Sequence, residues 1–271
     1  MSYRHVRVIM TTLCVCLLSL GAKASAVEVV CHRGANEYAP ENTLAAAELC
    51  IEWGVAYVEI DVRTSKDGVM YILHDPWVNR TTNGKGFLFQ LTSDQIDALD
   101  AGSWFDKEFA GEKVPRLEPY LRAIKGRIKV YFDVKHADLP ALIKLVYDVG
   151  MEKDCFFWFD RPERALEFRQ LDKELPLKVN VSNVADVREA AERYRANIVE
   201  TSLRNMTDEL VHACRERDLK IMILSTKKDP EAFRQIVERK ADLVNLDHGD
   251  VFLKVEKQVR EEAAGASAGG K

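Results

Sequence analysis

The feature that most constrains the fold is an alternation of short apolar runs with helical segments that begins after residue 27. Helical patterns lie between most of the runs, and several start at a capping residue or stop at a glycine. Strands that alternate with helices in this way predict parallel β–α units and an α/β fold. The nine strand-like runs are VEVVC, YVEIDV, VMYIL, IKVYFDV, CFFWF, LKVNV, NIVET, KIMIL and ADLVNL.

Two arrangements of parallel β–α units compete, a closed barrel and a doubly wound open sheet. No glycine-rich phosphate loop follows the first run, and polar side chains cluster at the ends of several different runs. Both observations favour the barrel, which builds its active site at the carboxyl ends of its strands. We therefore predict a single (β/α)8 TIM-type barrel over residues 27–260.

Nine runs are one more than this barrel needs, and the pattern leaves open which one is surplus. The link between YVEIDV and VMYIL is only residues 63–68, which is too short for a helical crossover. A long insertion, at about residues 77–115, follows the run that ends at His74 and contains six tryptophan and phenylalanine residues. A connection of this length is usually functional, and it can also cover a small satellite core.

The two ends of the chain differ from the rest in composition. Arg4 and Arg7 precede an uncharged apolar run at 8–20, and Ala24-Ser25-Ala26 follows. This order is typical of a secretory signal peptide, here residues 1–26 with cleavage after Ala26, although a buried first helix is the alternative. The apolar run is shorter than the ~20 residues of a membrane span, so we expect a periplasmic or secreted protein without a stable span. Residues 261–271 are expected to form a disordered tail.

The charge and the cysteines limit the partners and the covalent links. The formal net charge is −4, and removal of the three basic residues of the leader makes it −7. This argues against a nucleic-acid partner and is compatible with a small substrate held by local cations. An exported chain could form disulfides, but the patterns favour free, buried thiols. The four cysteines outside the leader are Cys31, Cys50, Cys155 and Cys214.

Three carboxylates lie near the ends of predicted strands. Glu59 and Asp61 are two residues apart in YVEIDV and therefore face the same side of the strand. Two carboxylates inside a barrel repel each other unless a cation pairs them, and hard divalent metals prefer such ligands. Asp133 ends IKVYFDV and could complete the metal shell, while Lys135 could bind an anionic oxygen. The alternatives are solvated carboxylates on an edge strand and a plain Asp133–Lys135 ion pair.

Two histidines end runs of the same design. His32 follows VEVVC and His74 follows VMYIL, so together they are interpreted as a general acid and a general base. Arg33 beside His32 is a planar fork suited to a phosphate. Three further histidines are weaker candidates for a rim or surface position: His136, His212 and His248.

The ordered segments HRGANEYAPENT, VEIDVRTSKDG, YILHD, NRTTNGKG and FDVK resemble the successive motifs of the glycerophosphodiester phosphodiesterase family. The resemblance runs from about residue 28 to the end and is dense up to Lys135. It implies a (β/α)8 barrel that uses one divalent cation, calcium or magnesium. It also implies His32 and His74 as the catalytic pair, Glu59 and Asp61 as metal ligands, and Arg33 and Lys135 as phosphate contacts.

Two departures from the family pattern stand out. The third metal carboxylate of the family is usually glutamate, whereas this chain has the shorter Asp133. The late tryptophan-threonine and threonine-aspartate pairs are replaced by IMILST and VNLDHGD, in which Asp247 is the candidate for the last aspartate. The far side of the pocket, and with it the leaving alcohol, could therefore differ.

The predicted function is metal-dependent hydrolysis of a glycerophosphodiester to glycerol 3-phosphate and an alcohol, with the two histidines as general acid and base. One alternative is a phospholipase D- or C-like enzyme on a similar barrel that acts on intact lipid through an apolar loop. Another is a binding protein that has lost catalysis, against which the complete set of two histidines and three carboxylates argues. The pattern does not indicate the oligomeric state.

Overall fold

The computed structural model describes residues 26–268, and in this part of the chain eight parallel strands form a nearly closed barrel. Neighbouring strands pair in the order β5-β4-β2-β1-β9-β8-β7-β6, and a single bridge from Phe157 to Leu177 links β5 to β6. The predicted TIM-type barrel is confirmed. The strands are β1 (Glu28–Cys31), β2 (Tyr57–Thr64), β3 (Met70–Ile72), β4 (Lys129–Val134), β5 (Cys155–Trp158), β6 (Lys178–Asn180), β7 (Ile198–Thr201), β8 (Lys220–Leu224) and β9 (Leu243–Leu246).

The surplus run is β3, which lies outside the barrel. It pairs antiparallel with the end of β2, so that Val62 lies opposite Ile72. The short link allows only this hairpin, and Gly68 adopts a positive φ of 85° within it. The expectation that His74 ends a strand of the same kind as His32 is therefore wrong. β3 instead runs back toward the barrel mouth, where the Leu73 amide donates to the Asp61 carbonyl at 2.9 Å.

The helices form where the caps predict them. Thr43 accepts a hydrogen bond from the Ala46 amide at the start of the first helix, and Gly54 ends it in the left-handed conformation. The helices are α1 (Leu44–Trp53), α2 (Ser93–Asp97), α3 (Leu117–Ile124), α4 (Leu139–Val149), α5 (Pro162–Leu171), α6 (Val184–Glu192), α7 (Asp208–Arg215), α8 (Pro230–Glu238) and α9 (Gly249–Ala268). In the described residues no helix is long and apolar enough to cross a membrane.

The expectation for the C-terminal tail is corrected over residues 261–268, which continue α9. Alanine and glutamate favour a helix, and Arg234 of α8 binds Glu262 at 2.6 Å. The composition of this segment predicts disorder, because composition does not reveal the contact between α9 and α8 that stabilises the helix. Residues 269–271 and, apart from Ala26, the predicted leader lie outside the described residues.

Alternation along the strands separates an outer apolar layer from the barrel interior. Val58, Ile60 and Val62 face outward into the core beneath the helices, so Glu59 and Asp61 face inward. An inner apolar cluster fills the barrel below these carboxylates and contains Val30, Tyr57, Tyr131, Phe156, Ile198, Met222 and Leu243. The four cysteines are free and buried, as expected. The interior is thus closed below and polar at the mouth.

The insertion packs on a satellite core of its own. Tyr71, Val78, Leu88 and Ile96 are fully buried there, and two short 3-10 segments and α2 complete the fold of the insertion. Four aromatic side chains point outward instead, with 40–50% of their surface exposed: Trp77, Phe87, Phe89 and Trp104. The insertion therefore has a built interior and an apolar outer face.

Candidate active site

Three buried carboxylates meet inside the barrel mouth. Asp61 and Asp133 are direct neighbours in the pairing of β2 with β4, and Glu59 lies one pleat deeper on β2. One oxygen from each of the three lies within 4.8 Å of the others. The structure thus brings together the three residues that the sequence analysis proposed as metal ligands.

The proximity of these acids is costly without a cation. Burial raises the pKa of Glu59 well above its usual value, and the charges of Asp61 and Asp133 add to the effect. Burial and the charge of Asp61 likewise raise the pKa of Asp133 to about 6. Asp61 Oδ1 and Asp133 Oδ1 are buried without a hydrogen bond. A set of crowded, desolvated carboxylates with unsatisfied oxygens fits a hard divalent cation.

Lys135 lies against the same carboxylates. Its Nζ is 2.5 Å from Asp133 Oδ2 and 3.2 Å from Asp61 Oδ1, and the latter contact is an ion pair whose angle does not meet hydrogen-bond geometry. Burial lowers the pKa of Lys135, but the charges of Asp61 and Asp133 outweigh burial and leave the pKa raised. Lys135 is therefore a charged group beside the acidic cluster, and the plain ion pair considered above is also present.

Arg33 reaches the cluster through its backbone and its side chain. Its amide donates to Glu59 Oε2 at 2.6 Å, and its Nε lies 3.7 Å from Asp61 Oδ2. This geometry requires a tight turn, in which Arg33 and Gly34 have φ values of 57° and 84°. A Cβ at Gly34 would lie 2.7 Å from the Cβ of Ala46, so only glycine fits. The break after β1 therefore serves to orient Arg33.

Asp247, at the end of β9, holds His32. His32 Nδ1 is 2.8 Å from Asp247 Oδ1, and Asn36 Nδ2 donates to the same oxygen at 2.7 Å. Burial raises the pKa of Asp247, but the hydrogen bonds with His32 and Asn36 outweigh burial and leave the pKa lowered. The contact leaves Nε2 of His32 as the ring nitrogen available for proton transfer.

Asp75 holds His74 in the same way, at 2.8 Å between Nδ1 and Oδ1. Burial lowers the pKa of His74, so the ring is neutral near pH 7. Burial acts to raise the pKa of Asp75, but hydrogen bonds with Arg80 and His74 lower it to about 2. Each histidine thus has one nitrogen fixed by a charged carboxylate.

A single arginine of the insertion joins the two sides of this arrangement. Arg80 Nε is 2.7 Å from Asp75 Oδ2, and its two terminal nitrogens lie 2.7 and 2.8 Å from the oxygens of Glu41. Glu41 in turn accepts a hydrogen bond from Arg33 at 3.2 Å. His74, Asp75, Arg80, Glu41 and Arg33 therefore form one continuous chain of polar contacts.

Sequence reasoning missed several of these supporting residues, although they lie inside the segments that carried the resemblance. Asn42 of the APENT segment donates to Asp61 Oδ2 at 2.7 Å and accepts from the Asp61 amide at 3.2 Å. Its φ of 60° is one that asparagine tolerates better than most residues. Glu41, Asp75 and Arg80 also lie in these segments, but their types alone did not indicate a function. Their pairing is tertiary, so no spacing rule identified it.

The far half of the barrel contains a buried cation that the apolar strand pattern concealed. Lys178 on β6 is 1% exposed, with Nζ 2.8 Å from Asn180 Oδ1 and 3.2 Å from Glu200 Oε1. The same Nζ lies 4.6 Å from the ring centre of Trp158. Burial lowers the pKa of Lys178. This side of the mouth is thus polar and charged, in line with the departure from the family pattern late in the chain.

The other histidines take peripheral positions. His136 lines a cleft next to Lys135, and His248 follows Asp247 at the mouth. The imidazole of His212 is 75% exposed and pairs with Glu216 on α7. None of the three is in contact with the acidic cluster among the described hydrogen bonds and ion pairs.

Comparisons with known proteins identify the family of the chain. The sequence model of the glycerophosphoryl diester phosphodiesterase family matches residues 32–250. A glycerophosphodiester phosphodiesterase from Caldanaerobacter subterraneus subsp. tengcongensis is 30% identical over 229 residues, which cover 80% of this chain and 88% of that protein. The crystal structure of a glycerophosphodiester phosphodiesterase from Agrobacterium tumefaciens is similar with a TM-score of 0.80 at 36% identity, and the match covers 83% of this chain and 98% of that one.

A mammalian relative matches over a shorter stretch. Glycerophosphodiester phosphodiesterase 1 of Mus musculus is 39% identical over 159 residues, and the chain spans only 47% of the length of that protein. The family match nevertheless includes both histidines, the three carboxylates, Arg33 and Lys135. The chain therefore belongs to the glycerophosphoryl diester phosphodiesterase family, whose members are phosphoric diester hydrolases.

Proposed function

We propose that this protein hydrolyses glycerophosphodiesters to glycerol 3-phosphate and an alcohol in a metal-dependent reaction. The observation that carries the proposal is the juxtaposition of two carboxylate-held histidines with a buried cluster of three acids. Histidines of this kind can transfer protons, and the acids can hold the cation that a charged phosphodiester needs. Family membership supports the same activity.

Glu59, Asp61 and Asp133 would hold the divalent cation, calcium or magnesium. When bound, the cation would neutralise charge on the phosphate and polarise its oxygens. The donor set consists only of oxygens, which suits these hard ions. Asp133 is shorter than the usual glutamate, but one of its oxygens still lies within 4.8 Å of an oxygen of Glu59 and of Asp61. The unsatisfied oxygens of Asp61 and Asp133 support this assignment.

Arg33 and Lys135 would contact the phosphate of the substrate. Both side chains are mostly buried beside the acidic cluster, with 19% and 15% of their surface exposed. Fixed cations in a site of low dielectric stabilise the charge that develops on phosphoryl oxygens without having to reorganise. The turn at Gly34 orients Arg33 before the substrate arrives, which further reduces the cost of binding.

The two histidines differ in a way that suggests their roles. His74 is neutral, and its partner Asp75 is already paired with Arg80, so His74 is suited to accept a proton from the attacking hydroxyl. That hydroxyl belongs to water or to the glycerol of the substrate. Asp247 binds His32 and the uncharged Asn36, so its charge can stabilise a protonated His32. His32 would then donate its proton to the alkoxide that leaves when the old P–O bond breaks.

The location and the identity of the alcohol belong to the same proposal. The leader pattern supports action in the periplasm or outside the cell, where the substrate is a small molecule. The head-group alcohol would face the far half of the mouth, where Asn180 is exposed beside the buried pair of Lys178 and Glu200. A polar alcohol is more compatible with this side than an apolar one.

The test is turnover of glycerophosphocholine, glycerophosphoethanolamine and glycerophosphoinositol, with detection of glycerol 3-phosphate before and after chelation. We expect activity that EDTA abolishes and added calcium or magnesium restores. His74→Ala should lose about 10²–10⁴-fold in turnover, and His212→Ala, which changes an exposed histidine on α7, should match wild type. Release of glycerol 3-phosphate that is insensitive to EDTA would contradict the metal role, and no release from any diester would contradict the proposed reaction.

A further inference from the structure

The two histidines of the site are attached to the barrel in different ways. The His32 amide donates to the Leu246 carbonyl at 3.0 Å, so the backbone of this histidine extends the pairing of β1 with β9. His74 follows β3, which lies outside the barrel, and the last backbone contact of that hairpin is made by the residue before it, Leu73. A proton-transferring group on an irregular segment needs another element to fix its position.

Arg63 provides this attachment. It lies two residues after Asp61 on β2 and therefore on the same face of the strand. Its Nε and Nη2 donate to the His74 carbonyl oxygen at 2.9 and 2.7 Å. Within residues 26–268 these are the only hydrogen bonds made by the backbone groups of His74 and Asp75. The two donors of Arg63 thus take the place of the strand pairing that holds the other histidine.

Arg63 has no carboxylate that would compete for its donors. It is partly buried, and it makes no ion pair with an acidic side chain of residues 26–268. Burial lowers the pKa of Arg63, and the charges of Asp61 and Asp133 offset this only in part. Taking a guanidinium out of water without pairing it costs free energy. Stability of the fold therefore does not account for this arginine, whereas the contact with the carbonyl does.

A guanidinium is better suited to this contact than any other cation. Its N–H groups lie in one plane in a rigid fork, so two of them can meet one carbonyl oxygen and fix its direction. A lysine at the same place would keep the charge, but its ammonium is a point donor on a flexible stem. The arrangement thus depends on the shape of the Arg63 side chain as well as on its charge.

The carbonyl that Arg63 holds lies between the two partners of a catalytic pair. The peptide group is planar, so fixing the His74 carbonyl also fixes the first atoms of Asp75. His74 Nδ1 is 2.8 Å from Asp75 Oδ1, across this same peptide. One contact therefore sets the direction of the imidazole and of the carboxylate that holds it.

We propose that Arg63 is a positioning residue of the reaction, whose fork on the His74 carbonyl holds the imidazole in the direction in which it meets the substrate. The inference rests on the proposed function and adds a residue to it. Among the described hydrogen bonds Arg63 touches neither a ring nitrogen of His74 nor the carboxylate of Asp75. It therefore acts on the orientation of the base, whereas Arg80 acts on the charge of Asp75.

The contact is not what attaches the insertion to the barrel. Asp97 in α2 of the insertion accepts hydrogen bonds from the Tyr71 hydroxyl at 2.7 Å and from Arg116 Nη2 at 2.6 Å. Neither donor contacts His74 among the described hydrogen bonds. Arg116 is thus a matched control for Arg63, because it is an arginine that ties the same insertion without touching the catalytic pair.

The experiment measures kcat and KM for glycerophosphocholine across the active pH range in Arg63→Lys, Arg63→Ala, Arg116→Lys and Arg116→Ala, each below its own melting transition. We expect Arg63→Lys to lose about 10–10²-fold in kcat, the scale of a small misplacement of a catalytic group. Its KM should stay close to wild type, because Arg63 does not bind the substrate. Its acid limb in the pH profile should not move, because the positive charge is kept. Both Arg116 variants should retain wild-type kcat.

Chemical rescue separates the fork from the charge. Millimolar guanidinium should raise kcat of Arg63→Ala severalfold, because it can occupy the space of the lost side chain and offer the same two donors. Methylammonium, a cation without a fork, should not raise it. Neither additive should change kcat of Arg116→Ala.

Arg63→Lys with wild-type kcat, or equal rescue of Arg63→Ala by both cations, would overturn the inference, because charge alone would then suffice. A loss that appears in KM, or a shifted acid limb in Arg63→Lys, would assign Arg63 to substrate binding or to the charge of His74 and would also overturn it. Equal losses of kcat in the Arg116 variants would reduce the effect to stability and have the same consequence. Failure of wild type to release glycerol 3-phosphate would instead overturn the proposed function.

Discussion

Asp61 and Asp133 lie opposite each other on neighbouring parallel strands, and each has a carboxylate oxygen that is buried without a hydrogen bond. Lys135 Nζ contacts both carboxylates but supplies one positive charge for the two, and repulsion between like charges in this position destabilises the fold unless it is fully compensated. The pair therefore explains why the site would bind a metal more tightly than scattered surface acids. Its predicted consequences concern stability as well as activity.

We expect added calcium or magnesium to raise the melting temperature of the EDTA-treated protein. A ligand that binds only the folded state stabilises it by RT ln(1 + [ligand]/Kd), which is about 2.7 kcal/mol when the free ligand is at a hundred times Kd. Asp61→Asn should lose this shift. Asp160→Asn, which changes an exposed carboxylate just after β5, is the matched control and should retain it. Thermal unfolding of the three proteins with each ion tests the prediction, and an equal shift in Asp61→Asn would refute the assignment of the ligand.

Metal affinity should increase with pH between about 5 and about 7. The pKa of Asp133 is raised to about 6, and that of Glu59 is also raised, so in the metal-free protein protons occupy these groups at the lower pH. A cation needs the charged forms and must displace the protons, which weakens apparent binding in acid. Isothermal titration with calcium at both pH values, in two buffers of different ionisation enthalpy, measures the affinity and the protons released. An affinity that does not change with pH would contradict the prediction.

Much of this site could be predicted from sequence because the signals are local. A period of two residues was enough to place Glu59 and Asp61 on the same inward face, and both do lie there. The same rule could not distinguish a barrel strand from the antiparallel β3, because the two have the same apolar pattern. The prediction for His74 assumed that this residue follows a parallel barrel strand, which is wrong. His74 nevertheless lies close to Asp61, because the neighbouring Leu73 amide donates to the Asp61 carbonyl. The six-residue link before β3 was the available signal for a hairpin.

Other features depend on contacts between distant parts of the chain. The pairs Arg80–Glu41 and His32–Asp247 are separated by 39 and 215 residues, so neither has a spacing signature. The burial of Lys178 was not predicted, because the sequence does not show that Asn180 and Glu200 accept hydrogen bonds from its ammonium group. The end of α9 was missed for a similar reason, since its contact with α8 outweighs the disorder that its composition suggests.

Replacing either carboxylate that holds a histidine should reduce turnover without unfolding the protein. Asp247→Asn and Asp75→Asn keep the size of the side chain but remove the charge beside His32 and His74. We expect losses smaller than the about 10²–10⁴-fold that removal of a histidine itself causes. Steady-state kinetics with glycerophosphocholine and melting curves for all four single variants test this order. A carboxylate variant that is less active than the corresponding histidine variant, at equal stability, would show that its role is not one of orientation.

Arg80 should act as a positioning residue, because its guanidinium holds Asp75 beside His74 and Glu41 beside Arg33. Removal of its charge leaves Asp75 free to stabilise the protonated form of His74, which raises the pKa of His74. The general base is active only when neutral, so the acid limb of the pH profile of kcat should move to higher pH in Arg80→Ala. Arg80→Lys should move it less, since lysine keeps the charge but cannot form the two-sided fork.

The control for Arg80 is Lys85→Ala, which removes an exposed cation from the same loop. A purely structural role of Arg80 would lower stability and activity together and leave the shape of the pH profile unchanged. Because the Arg80 side chain is 41% exposed, its contribution to stability should be at most about 1 kcal/mol, so the kinetic change is separable from unfolding. An Arg80→Ala enzyme with a wild-type acid limb would contradict the link from Arg80 through Asp75 to His74, and a shifted limb in Lys85→Ala would attribute the effect to the net charge of the loop instead.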